Sequence, residues 1–102
     1  MTVMFEWDVE EYSPVTSDDY EAGDIIDHNH FGSYADAAAY ASSTPTNGGA
    51  YRIVLVRDTL DKYDSLRNRE WAYMVDGALP EYFEDAYGRE GSKVPKRFLR
   101  RC

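Results

Sequence analysis

Two histidines stand one residue apart in Asp27-His28-Asn29-His30, and an imidazole pair beside a carboxylate is a common ligand set for first-row divalent metals. The sequence has no other histidine. A third strong ligand must come from one of many carboxylates, and spacing fixes none of them. No metal or other cofactor is therefore expected, and a metal-dependent enzyme at His28 and His30 stands only as an alternative. Asp27-x-Asn29-x-Phe31-Gly32 matches the opening of a calcium loop, but the fifth position is Phe31 and the twelfth is Ala38, where a bidentate Glu is required.

Acid–base or nucleophilic catalysis needs a carboxylate, imidazole or thiol held in a cleft beside a partner. Carboxylates are too abundant here to single one out, the lone thiol is Cys102, and no serine lies in a nucleophile-elbow context. Gly48-Gly49 and the run Gly88 to Lys93 lack phosphate-loop spacing, and the first precedes a strand rather than a helix. The chain reads as a non-enzyme.

Charge is the feature with a physical rationale. The 102 residues carry a net charge of −8, but residues 1 to 51 hold ten Asp and Glu and no Lys or Arg. Residues 89 to 102 hold one acid against six bases. Alternate strand residues are about 6.5–7 Å apart, so Glu6, Asp8 and Glu10 are expected to project a row of carboxylates. Asp18, Asp19, Glu21, Asp24 and Asp27 follow and extend it. DNA also presents regularly repeated negative charge, and such a row fits a basic groove built for phosphates. The same acids make the first half a poor nucleic-acid binder. A solvated polar face is the plainer reading, because exposed strand faces are normally polar. Tyr12, Tyr20 and Trp7, interleaved among the acids, are of the types that anchor protein interfaces.

The elements that must position these groups follow from periodicity. Phe5, Trp7 and Val9 alternate with Glu6, Asp8 and Glu10, which predicts a half-buried strand over 4–12. Residues 13–31 are polar, with Pro14 and Gly23, and read as a long loop with a short irregular turn around Ile25 and Ile26. Ser33 and Asp36 approach a capping box, and Tyr34, Ala37, Ala38 and Ala41 recur at helical spacing, predicting an alanine-faced helix over 33–42 with Phe31 against its start. Tyr51 to Arg57 reads as a central strand, 58–69 as a polar connection and 70–76 as a third strand. Leu79 to Tyr87 reads as a short helix ending at Gly88, followed by a basic tail. The tail is a solvated end or folds back on the acidic half, in preference to binding nucleic acid. The expected fold is α+β: β-α-β-β, a three-stranded, mainly antiparallel sheet on one helix, with a single domain over 1–88 and the tail over 89–102. No membrane span and no signal peptide is visible, and a single cysteine fits a reducing, cytoplasmic compartment.

The small size, the acid-biased first half and this compact plan resemble, in type, the small acidic proteins that phages and mobile elements direct against host defences, the anti-CRISPR and anti-restriction DNA mimics. The resemblance implies a non-enzymatic inhibitor in the bacterial cytoplasm. It would occupy the DNA-binding or protospacer-adjacent-motif-reading surface of a basic nucleic-acid-handling complex such as a CRISPR effector. It implies partner-binding roles for Glu6, Asp8, Glu10, Asp18, Asp19, Glu21, Asp24 and Asp27. The basic tail departs from the wholly acidic pattern. A self-associating protein, joined through strand edges and the tail, is the other reading that the residues leave open.

Overall fold

The structure is a computed structural model that describes residues 1–74 and Phe83. Its elements run β1 (Thr2–Tyr12), β2 (Ile25–Phe31), α1 (Tyr34–Ser43), β3 (Ala50–Leu60) and β4 (Leu66–Tyr73). The strands make one antiparallel sheet in the order β2-β1-β3-β4, giving an α+β domain with one helix on a four-stranded sheet. The expectation of three strands is corrected by β2. Ile25-Ile26-Asp27-His28-Asn29-His30-Phe31 lacks an apolar face, so alternation does not reveal it. It is an edge strand, where charged and polar side chains are tolerated and its backbone is satisfied by pairing with β1.

Register assigns every side chain to a face. Trp7 lies opposite Phe31 and Leu55, whereas Asp8 lies opposite His30 and Val54, which in turn lies opposite Tyr73. The odd-numbered β1 residues face the helix: the Trp7 ring packs on Tyr34 at 5.2 Å, and Val9 and Ala37 are fully buried. The even-numbered residues share the opposite face with a second apolar cluster of Tyr12, Ala50, Val54, Val56 and Tyr73, joined by Ile25 and Trp71. The sheet is therefore apolar on both faces, which fits the nearly continuous apolar run of β3.

Helix α1 starts where its cap predicts. Ser33 is extended, and its hydroxyl accepts a hydrogen bond from the Asp36 N–H at 3.2 Å. Its small inward residues allow close approach to the sheet. Phe31 packs on Tyr40, in the second half of the helix, at 5.3 Å between rings rather than at the helix start. The helix ends at Ser43, with the Thr44 N–H donating to the Tyr40 carbonyl and Pro45 following.

The polar connection expected over 58–69 shrinks to a turn over 61–65, because β3 and β4 both extend into it. Cross-strand charge pairs fasten the extension: Arg57 with Glu70 at 2.9 Å and Arg69 with Asp58 at 2.7 Å. Asp61 closes the turn, its carboxylate accepting from the N–H groups of Tyr63 and Ser65. Asp64 takes the left-handed conformation there, at φ 59°. The third expected strand, 70–76, is thus observed as Leu66–Tyr73, and its last two residues lie outside the described residues. So do the expected helix over 79–87, apart from Phe83, and the basic tail. The Arg57 guanidinium carbon sits 4.1 Å from the centre of the Phe83 ring, a cation–π contact.

Candidate functional site

The predicted carboxylate row does lie on one side of β1, but that side is a core face. β1 is flanked by β2 and β3, so its central residues lie inside the sheet and not at its edge. Asp8 is only 6% exposed and Glu10 only 4%, while Glu6, nearer the open end, is half-buried. This corrects the expectation of a projecting row. Periodicity places alternate residues on one face and cannot tell which face is wet; the Asp8 face also carries the buried Val54, Val56 and Tyr73, distant in sequence.

Each buried acid is met by a polar partner. Glu10 accepts a hydrogen bond from the Tyr73 hydroxyl at 2.8 Å, reaching from β4 across β3 to β1, and register places Arg52 opposite Glu10 on β3. Glu11, on the helix side and 2% exposed, accepts from the N–H groups of Asn47 at 2.8 Å and Gly49 at 3.3 Å, organising the turn between α1 and β3. Such bonds to a charged acceptor offset the desolvation of burial.

Asp8 differs because its partner is an imidazole. His30 Nδ1 lies 2.7 Å from Asp8 Oδ1 and 3.5 Å from Glu6 Oε1. The His28 ring stands edge-on to His30 at 5.1 Å. Burial pushes the Asp8 carboxyl above the usual carboxylate range. The His30 hydrogen bond opposes that shift, and the nearby Glu6 charge reinforces it. His30 is raised as well, chiefly by its hydrogen bond to Asp8, with partial desolvation acting the other way. The third ligand that the sequence could not place beside His30 is thus supplied by β1. The ligand atoms of Glu6, Asp8 and His30 all lie within 4.8 Å of one another. Only the pairing of β1 with β2 brings them together, and no local motif encodes it.

The remaining predicted residues occupy the connection between β1 and β2, except Asp27, which lies on β2. Asp18, Asp19 and Glu21 are exposed, Asp24 is half-buried, and Asp27 is exposed near the start of β2. Asp24 also shapes the loop: its carboxylate accepts from the Glu21 N–H at 2.9 Å, and its carbonyl accepts from the Ser13 N–H. The Asp27 carboxylate accepts from the His28 N–H at 2.9 Å. The eight acids consequently form two groups, a largely exposed set on the connection and the start of β2, and a β1 set in the sheet.

An open groove of about 530 Å³ lies between α1 and β3, lined among others by Tyr34, Ala38, Ala41, Tyr51 and Ile53. Its lining, among the described residues, includes no carboxylate, imidazole or thiol. Among the described residues, no helix is long and apolar enough to cross a membrane. Comparison with protein-family models, with curated proteins and with solved structures gives no match to this chain.

Proposed function

We propose that this chain is a non-enzymatic acidic binding protein that occupies the basic surface of a nucleic-acid-handling protein, in the manner of an anti-CRISPR or anti-restriction inhibitor. The observation that carries the reading is how charge is matched within the fold. Arg57, Arg67 and Arg69 each pair with an acid of their own hairpin: Glu70, Asp61 and Asp58. The exposed carboxylates of Asp18, Asp19 and Asp27 meet no cation among the described residues. With Glu21 and Asp24 they concentrate negative charge on the β1–β2 connection and the start of β2. Charge of one sign on an exposed loop favours rapid, salt-sensitive association with a surface of the opposite sign. Asp8 and Glu10 support the sheet in this reading, and the loop acids contact the partner.

The test is capture from bacterial lysate by the full chain, with duplex DNA as competitor. Binding should fall steeply between 50 and 300 mM salt, be displaced by DNA, and be lost in the triple variant D18K/D19K/D27K. Capture that ignores salt, or that persists in the triple variant, would sink the proposal.

A second reading has its own observation. β2 pairs with β1 only from Trp7 onward, so among the described residues Thr2–Glu6 has no neighbour on that edge. Val3, Met4 and Phe5 there are half or more exposed. An antiparallel pair of such edges centred on Met4 sets Val3 opposite Phe5 and Thr2 opposite Glu6, with no like charges opposed. Sedimentation equilibrium should then show a dimer that Met4→Lys dissociates, and a monomer at all concentrations would exclude it.

A further inference from the structure

We propose that Glu6, Asp8 and His30 form a binding site for one first-row divalent metal ion, fastening edge strand β2 to central strand β1. The reading is independent of the partner proposed above. Three observations support it. First, donor atoms from two strands converge: His30 Nδ1 lies 2.7 Å from one carboxylate oxygen and 3.5 Å from another. Ligand atoms bound at about 2.0–2.2 Å to one ion are roughly 3.0–3.5 Å apart, so small side-chain rotations bring the set to bonding geometry. Glu6 and His30 are both partly solvent-accessible and have room for them.

Second, the buried acid is under-satisfied. Asp8 is 6% exposed, one of its oxygens meets His30, and the other has no hydrogen-bond donor among the described residues. A buried carboxylate with one hydrogen-bond partner, a half-exposed ring, keeps a lone-pair position unfilled. A cation fills it. The Arg69 guanidinium contributes to the potential at Glu6 and Asp8, but its Nε and Nη2 groups donate to the Asp58 carboxylate, at 2.7 and 2.9 Å.

Third, the donor types select the ion. Two carboxylate oxygens and one imidazole nitrogen suit Zn²⁺, Mn²⁺ or a neighbouring first-row ion, with the remaining positions open to water. Ca²⁺ and Mg²⁺ prefer all-oxygen sets and should bind much more weakly. The first-row series predicts tighter Zn²⁺ than Mn²⁺. Because the ligands bridge strands that are joined by a long loop, occupancy should stabilise the fold as well as fill the site.

The experiment is calorimetric titration of chelator-treated full-length protein with Zn²⁺ and, separately, Mn²⁺, Ca²⁺ and Mg²⁺ at neutral pH, with the His30 ring followed by NMR. The expected result is one Zn²⁺ per chain, a His30 ring shift that saturates at the same equivalence, and a Tm rise of roughly 10–20 °C at a hundredfold excess over Kd. Glu6→Gln and His30→Gln should each weaken binding at least tenfold, and Asp36→Asn should leave it unchanged. Glu6→Gln alters a half-exposed side chain, so its fold can be checked by metal-free circular dichroism. No binding up to 1 mM Zn²⁺ would overturn the site. So would a stoichiometry other than one, equal affinity for Ca²⁺ and Zn²⁺, or binding that survives both Glu6→Gln and His30→Gln.

Discussion

Replacing Tyr73 by Phe removes one oxygen and no ring volume from the centre of the sheet. Tyr73 is fully buried, and its hydroxyl donates at 2.8 Å to Glu10, itself 4% exposed. The ring is kept, so the change removes only what the hydroxyl contributes. A hydrogen bond to an ionised acceptor is worth about 1.5–3 kcal/mol, and the cost is sharpened because Glu10 stays buried after its donor is gone. Arg52, opposite Glu10 on β3, is positioned to keep part of that charge matched, which places the expected loss near ~2 kcal/mol. For a domain of this size that corresponds to a Tm fall of roughly 8–16 °C. Urea unfolding at pH 7 should show it as a lower midpoint with an unchanged slope. The double-mutant cycle with Glu10→Gln should give a coupling energy above ~1 kcal/mol, because the two groups act as one contact. A Tyr73→Phe variant within ~0.5 kcal/mol of the parent, or additive single effects, would refute the claim that this bond ties β4 to β1 across β3.

Three further changes probe other parts of the fold. At Gly49 an added Cβ would lie 2.6 Å from the Tyr12 carbonyl oxygen and 2.9 Å from Glu11 Oε2. Gly49→Ala should therefore cost about 1–3 kcal/mol by chemical unfolding, and Glu11→Gln should relieve little of it because the nearest obstacle is backbone. Ser33→Ala removes the acceptor for the Asp36 N–H and should cost roughly 1 kcal/mol, whereas Ser33→Asp should restore most of it in thermal melts. The Asp61 carboxyl is held below its ordinary value of 3.8 by the N–H groups of Ser65 and Tyr63, with Arg67 adding to them. A depressed carboxylate stabilises the fold above its unfolded pKa, and that contribution disappears as pH falls through the folded value. Unfolding measured from pH 6 down to pH 2 should accordingly show a shallower acid loss for Asp61→Asn than for the parent, and parallel curves would exclude the turn as a source.

The elements carried by strong local signals are where the sequence puts them. Ser33 caps a helix lined by Ala37, and the β-branched run from Ile53 to Val56 sits in the centre of the sheet. β2 was not legible, because Asp27, His28, Asn29 and His30 give no apolar alternation and its pairing is decided by β1, more than a dozen residues away. For the same reason the sequence shows His30 in a plausible ligand pattern but not its ligand partners. The extension of β3 and β4 into a polar stretch depends on pairs such as Asp58 with Arg69, which look like solvated charges until the hairpin register sets them opposite each other. Alternation correctly grouped Glu6, Asp8 and Glu10, and the error lay in equating an acidic face with an exposed one.

The burial of these acids has a functional consequence. A carboxylate in the centre of a sheet is maintained only if a donor or cation stays with it, since leaving it unpaired costs several kcal/mol. Glu10 has the Tyr73 hydroxyl and Glu11 has two backbone N–H groups, both permanent. Asp8 has one half-exposed ring on a single oxygen, beside a second acid that is only half-buried. Of the buried acids on β1, Asp8 is therefore the one whose environment is completed by something that can come and go, and the loop acids are the ones available to a macromolecule. The two roles should separate experimentally. Reversing Asp18, Asp19 and Asp27 should abolish partner capture while leaving Zn²⁺ stoichiometry intact, and Glu6→Gln should do the opposite. If either change removes both properties, the loop and the β1–β2 site form one surface, and the partner reads the metal-binding face as well as the loop.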